Sequence, residues 1–390
     1  MTEAERLPKY DAAGGSVPVA TAEELLEAMA APGLGPVTIR RLLRRFGSWP
    51  RARQASAGEL REAGLKQEAI RAIRQGSFQY DPREEVADAQ KCGVRIVPFA
   101  SEEFPRALRD HDDLPLLLYV KGDLLERDAL AISIVGARRS SLYGRMHAER
   151  LAFELAQAGF TVVSGLAQGI DAAAHEGALK GGGRTIAVLG NGLASVYPPE
   201  NRELAERIVR SGALISELPM KTAPTAANFP PRNRLIAALS LGVVVVEASR
   251  TSGALITARL AGEMGREVFA VPGDIGRAQT RGTHRLIRDG AKLVETVEDI
   301  LEELGPLSQP VQVREEESPI PDPRALALNQ HERRIYDLLD ASPKDIDLIT
   351  RESGLSAANV ASILMVLELK RLAVQMPGKL YVRAGTLQRE

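Results

Sequence analysis

Short apolar runs alternate with amphipathic stretches from Ala131 to about Gly305. The runs Ala131–Val135, Thr161–Val163 and Thr185–Leu189 each end in a glycine-containing turn and lead into a helical segment. That rhythm predicts parallel strands feeding helices. It continues with strands at Ala213–Glu217, Gly242–Ala248, Glu267–Val271 and Lys292–Val294, and helices at Glu200–Arg210, Asn233–Leu241, Ser252–Met264 and His284–Asp289. GVVVVEA at 242–248 is apolar at successive positions, so that strand is buried on both faces and helices must cover both sides of the sheet. The pattern predicts a doubly wound α/β domain. Residues 81–125, with a helix, a strand Arg95–Phe99, the segment Phe104–Arg109 and an apolar run Leu114–Val120, read as an extra layer on that sheet, and the domain spans 81–305.

The flanks follow other patterns. Residues 1–20 are polar and glycine-rich with no apolar period, the signature of a disordered tail. Thr21 and Glu24 have capping-box spacing ahead of Leu25, Leu26 and Met29, starting a helix that stops before Pro32. Gly33-Leu34-Gly35 then looks like the hairpin of a helix-hairpin-helix motif. Between Pro32 and Arg53 lie Arg40, Arg41, Arg44, Arg45, Arg51 and Arg53 with no acid among them. Either a solvated helix face or phosphate contact accounts for them, which makes Gly33, Gly35, Arg40, Arg41 and Arg44 secondary DNA-binding candidates. Helices at Ala57–Ala63 and Gln67–Gln75 complete a small helical domain, 21–80.

Beyond Gly305, residues 306–328 form a Pro/Glu-rich linker. In 329–390, helices at His331–Asp340, Ile346–Ser353 and Ala357–Leu369, a turn at Gly354 and a hairpin Ala373–Val382 around Pro377-Gly378 predict a winged-helix domain. Its recognition helix has no base before Lys370 and Arg371, poor chemistry for reading a major groove. Protein contact or a structural role therefore stands beside weak duplex binding.

Composition narrows the partners. A formal net charge of −1 confines any polyanion binding to local patches. The single cysteine, Cys92, has no intrachain partner, and no Cys/His cluster has zinc-ligand spacing, so no metal is expected. Neither a signal peptide nor a membrane-length apolar run is present, and the expected location is cytoplasmic.

The candidate chemistry gathers in the strand-end turns, the edge where open parallel sheets bind ligands. Gly136, Ala137, Arg138, Arg139 and Ser140-Ser141 follow the first strand; Ser164, Gly165 and Gly169 follow the second; Gly190-Asn191-Gly192 follows the third. Phe229, Arg232, Asn233 and Arg234 open the helix before GVVVV, and Ser252 and Gly253 follow that strand. Glycines and cations at helix starts suit phosphate. Each turn alone also suits tight strand-to-helix packing. No G-x-G-x-x-G, no acid ending the second strand and no P-loop is present, so dinucleotide and nucleotide-hydrolysis modes lose support. Catalytic groups are sparse: His147, His175 and His284 lie in no nucleophile motif, Asp171 reads as a helix cap, and Glu217 and Glu247 either pair as carboxylates or bond adjacent turns. Several phosphates in a row explain spread cations better than one nucleotide, with Phe229 and Tyr143 available for stacking. Single-stranded nucleic acid is the ligand this favours.

The blocks SIVGARRSSLYG, VVSGLAQGIDAAAH, IAVLGNGLASVYPPENREL, NFPPRNRLIAALS and VVVVEASRTSGALITARLAGEMGREVFAVPG together resemble the DNA-processing protein A (DprA, or Smf) family, from about Ala20 to about Val382. The resemblance implies an extended Rossmann-like central domain behind a SAM-like helical front. It also implies a non-enzymatic cytoplasmic protein, needing no cofactor, that binds single-stranded DNA, protects it in natural transformation and loads the RecA recombinase. It carries the DNA-binding role onto Gly136, Arg138, Arg232, Asn233 and Arg234 and implies a homodimer through the Rossmann domain. The alternatives are a nucleotide-processing hydrolase of the lysine-decarboxylase-like phosphoribohydrolase type, whose P-G-G-x-G-T-x-x-E signature is absent, and a nucleotide-sensing regulator.

Overall fold

A computed structural model describes residues 20–109, 113–305, 328–339, 344–370, 372–376 and 380–383. The amino-terminal tail to residue 19, the linker from 306 to 327, Arg371 and the Pro377-Gly378 turn lie outside the described residues.

The helical front runs α1 (Ala22–Ala30), α2 (Pro36–Phe46), α3 (Trp49–Gln54), α4 (Ala57–Glu62), α5 (Gln67–Gln75) and α6 (Pro82–Lys91). The capping box at Thr21 is reciprocal, Glu24 N–H to Thr21 Oγ1 and Thr21 N–H to the Glu24 carboxylate, both 3.2 Å. Helix α3 escapes the sequence pattern because it is a single capped turn and a half that buries only Trp49 and Ala52, too short for periodicity to register.

The central sheet is built from β1 (Arg95–Pro98), β2 (Leu117–Gly122), β3 (Ala131–Val135), β4 (Thr161–Ser164), β5 (Thr185–Val188), β6 (Ala213–Ser216), β7 (Gly242–Val245), β8 (Glu267–Ala270) and β9 (Lys292–Leu293). Among the described residues these nine strands are ordered β1-β2-β6-β5-β4-β3-β7-β8-β9. Strands β3 to β9 pair in parallel, whereas β2 pairs antiparallel with both β6 and β1. This corrects one expectation: residues 81–125 do not form a separate layer, because β1 and β2 extend the sheet in its own plane. Helices α7 (Leu142–Gln157), α8 (Ile170–Lys180), α9 (Arg202–Ser211), α10 (Phe229–Ala238), α11 (Ala254–Glu263), α12 (Arg281–Arg288) and α13 (Val297–Leu304) connect and cover the strands. Helix α10 begins four residues earlier than its apolar pattern suggests. Pro230 and Pro231 sit in its first turn, where a missing N–H is harmless and a fixed φ helps.

Val243, Val244, Val245 and Val246 are at most 1% exposed, as a strand covered on both faces requires. The helical front does not have a core of its own. Leu25, Ile39, Leu43 and Trp49 share one apolar cluster with Leu116–Val120 of the sheet edge, and the buried Arg40 donates to Leu114 O at 2.9 Å across that junction.

The carboxy-terminal unit comprises α14 (Gln330–Leu338), β10 (Lys344–Asp345), α15 (Ile346–Ser353), α16 (Ala357–Leu369), β11 (Ala373–Met376) and β12 (Leu380–Arg383). It has a separate core of Ile335, Ile349, Val360, Leu364, Leu367 and Leu372. The strand order β10-β12-β11 supplies the wing. Lys370, one of the two bases expected at the end of the recognition helix, is 6% exposed and held by Glu332 at 3.0 Å, so it does not face a groove.

Candidate nucleic-acid interface

The strand order places β3 at the centre, with β4 to β6 wound one way and β7 to β9 the other. Their divergence opens a crevice between the carboxyl ends of β3 and β7, the switch point at which open sheets bind ligands. Gly136 begins the turn after β3. A Cβ there would meet Ile170 Cγ1 at 2.6 Å and Glu247 O at 3.0 Å, so only glycine lets α8 and the turn after β7 close in.

The amino terminus of α7 is already occupied. Glu247, 1% exposed, reaches across the switch point and accepts from Ser141 N–H at 2.9 Å and Ser141 Oγ–H at 2.5 Å. A dinucleotide sheet seats its pyrophosphate at this helix start. Here the protein's own carboxylate fills that seat. Glu217, by contrast, forms an ion pair with Arg234, so the two glutamates serve different partners.

A second buried carboxylate sets the turn after β4. Asp171 is buried in the first turn of α8 and accepts from Gly165 N–H at 3.2 Å and Ala167 N–H at 3.3 Å. Burial pushes its carboxyl above the usual range, while Arg232 and those two amides pull it back. Arg232 is 5% exposed and donates Nη1 to Gly165 O at 2.9 Å and to Val188 O. Desolvation lowers its guanidinium to about 10, so it stays charged at neutral pH. The side chain expected to meet phosphate is thus a strut that ties the turns after β4 and β5 to α10. Ser164 and Asn191 are likewise turned inward: Ser164 Oγ donates to Ile134 O at 2.6 Å, and Asn191 Nδ2 to Ser195 O at 2.8 Å.

What remains facing solvent is a cation on an aromatic ring. The Arg138 guanidinium carbon lies 4.7 Å from the Phe229 ring centroid, within cation–π range, and the Tyr197 ring lies 5.9 Å from Phe229, tilted by 35°. Arg138 is exposed and has no ion pair among the described residues. On one side of this ridge is a cavity of about 430 Å³ lined by Gly136, Arg138, Phe229, Arg232, Asn233 and Gly253. On the other is one of about 170 Å³ lined by Arg138, Gln168, Tyr197 and Phe229. Ser252 also lines the larger cavity, and Asn233 Nδ2 reaches Gly253 O at 3.4 Å. Ala137 and Gly169 hold the floor together, with Ile170 N–H donating to Ala137 O at 3.3 Å. Arg139 points outward beside them. Tyr197 was missed from the sequence; its signal was the Tyr197-Pro198-Pro199 triplet, easily taken for a plain turn.

The helical front offers less than its arginine count suggests. Arg40 is buried, Arg45 pairs with Glu62 at 2.7 Å, and Arg53 pairs with Glu27. Acids from α1 and α4 reach arginines that have no acid neighbour in sequence. Arg41 and Arg44 of α2 are exposed, as are Gly33 and Gly35 in the turn before it.

The buried histidine is structural. Thr185 Oγ1 gives its proton to Val162 O at 2.7 Å, so it accepts from His175 Nδ1–H at 2.6 Å, which leaves His175 neutral with Nε2 in the core. Desolvation, with Arg232 adding to it, lowers His175 to about 3. A base depressed on folding stabilises fully above its unfolded value of about 6.5 and loses that contribution as pH falls toward the folded value. We expect urea denaturation at pH 5.5 to show about 1.4 kcal/mol less stability from this group than at pH 7.5. A His175→Gln variant should lack that component, and an unchanged pH dependence would contradict the assignment.

A family model described as DNA recombination-mediator protein A matches residues 95–305, and a DprA winged helix domain model matches 319–379. The chain belongs to the DprA/Smf family. Within that family it is similar to Protein Smf of Escherichia coli (strain K12), 41% identical over 298 residues that cover 74% of this chain and 77% of the relative. Protein Smf of Synechocystis is 33% identical over 90% of this chain and 96% of its own length. The X-ray structure of DNA processing protein A from Streptococcus pneumoniae aligns with a TM-score of 0.64 at 34% identity, covering 73% of this chain and 98% of that one. The two family models cover the Rossmann-like sheet and the carboxy-terminal winged helix of this chain.

Proposed function

We propose that the chain binds single-stranded DNA across the β3/β7 crevice without processing it, and presents the strand to the RecA recombinase as a homodimer joined through its Rossmann domain. The observation that carries this reading is the Arg138–Phe229 ridge between two cavities. A phosphate placed against Arg138 leaves a base on either side within reach of Phe229 or Tyr197, and stacking of this kind is tolerant of sequence. Glu247 closes the α7 terminus to a nucleotide's phosphates, which favours an open track over a nucleotide pocket. The Streptococcus relative, named a DNA processing protein, supports DNA as the ligand. The test is salt dependence. Titration of the full chain with fluorescent oligo-dT should give a log–log slope of about −2 if three phosphates are met, at about 0.7 for each phosphate. An affinity independent of salt would overturn the reading.

A further inference from the structure

On the far side of the switch point, the turns after β3, β7 and β8 converge with the first turn of α7 in a second surface outside the crevice. Tyr143 donates its hydroxyl to Pro272 O at 3.2 Å, and its ring lies 4.1 Å from that of His147. Gly282 N–H bonds Ala248 O at 2.8 Å, which brings Arg281 beside the Ser249-Arg250 turn. Ile275, in the loop after β8, is 86% exposed, and Met146, one turn along α7 from Tyr143, is 62% exposed. Singly exposed apolar groups are ordinary, and these matter here because they lie at the same sheet edge as exposed cations.

The charges on this surface are unbalanced. Arg139, Arg250 and Arg281 are exposed and have no ion pair among the described residues. The acids nearby are engaged: Asp274 accepts from Gly276 N–H at 2.8 Å and faces Arg277 at 3.8 Å, and Glu247 is buried against Ser141. Cations beside an exposed ring and apolar side chains repeat the chemistry of the crevice. The two surfaces are continuous, because Arg138 and Arg139 are successive residues of one turn.

We infer that a single strand held in the crevice continues over this surface, its phosphates on Arg139, Arg250 and Arg281 and its bases against Tyr143 and Ile275. The inference rests on the proposed crevice function and extends it to a longer footprint. A second copy of the chain is the other occupant that the test distinguishes; three exposed arginines without ion pairs among the described residues favour a polyanion over it.

The experiment compares two oligo-dT lengths, about six and about twenty nucleotides, on the full chain by fluorescence anisotropy, with sedimentation to follow its mass. Two variants are used, Arg250→Gln with Arg281→Gln, and Tyr143→Leu with Ile275→Ser. Each should weaken the longer oligonucleotide about tenfold and the shorter less than about twofold. The arginine variant should also make the long-oligonucleotide salt slope shallower by about 1.4, because two phosphates are left without their cations. Equal losses at both lengths, or no loss, overturn the inference while leaving the crevice reading intact. A changed sedimenting mass assigns the surface to contact between copies and also overturns it. Failure of the unaltered chain to bind either length defeats the crevice reading first.

Discussion

Arg232→Met should destabilise the protein by about 3–5 kcal/mol, the range for leaving a buried charge uncompensated. The guanidinium is 5% exposed and hydrogen-bonds the carbonyls of Gly165 and Val188. Its removal strands both carbonyls and leaves the Asp171 carboxylate without the cation that offsets its burial. Methionine matches the stem's volume and supplies none of the donors. Arg232→Lys should recover only part of the loss, because an ammonium cannot reproduce the planar fork. Urea denaturation at pH 7 reads the effect, and Asp171→Asn combined with Arg232→Met should lose less than the sum of the single changes. A loss under about 1 kcal/mol would mean that Arg232 is an ordinary surface cation.

The second large effect concerns binding and leaves the fold in place. Arg138→Ala with Phe229→Ala should weaken oligo-dT binding by about 3 kcal/mol, combining a charged contact of about 1.5–3 kcal/mol with stacking of about 1–3 kcal/mol. The two side chains touch, so each single change should already produce more than half of the combined effect. Arg138 is exposed and makes no ion pair among the described residues, so its removal leaves no buried group unpaired. Anisotropy titrations at fixed salt, with the urea midpoint as a control, separate weakened binding from lost fold. Unchanged affinity in the double variant would move the strand away from the ridge.

The contrast between Arg138 and Arg232 marks where sequence reading stops. Both follow from the same logic of cations in strand-end turns, and the sheet that presents those turns was legible because a period of apolar runs has few structural solutions. The seven strands read between Ala131 and Val294 lie close to β3 to β9, and the helices at Ile346–Ser353 and Ala357–Leu369 fall where the pattern predicts them. Which of two arginines faces solvent is a tertiary fact. It depends on Asp171, six residues past Gly165, and on carbonyls from two other turns. The same holds in the helical front, where Glu27 and Glu62 neutralise arginines distant in sequence, and in the winged helix, where Glu332 removes Lys370 from the surface. Glu247 is the most informative residue that composition could not interpret. A glutamate ending a buried strand looks like a candidate base until its carboxylate is seen on Ser141.

The central claim is that the strand lies on the Arg138–Phe229 ridge. Photocrosslinking the full chain to oligo-dT carrying 5-iodouracil, with the adducts mapped by mass spectrometry, tests it most directly. Adducts on Phe229 or Tyr197 are the expected result. Adducts confined to residues 328–383 of the winged helix, or to 20–91 of the helical front, would contradict it.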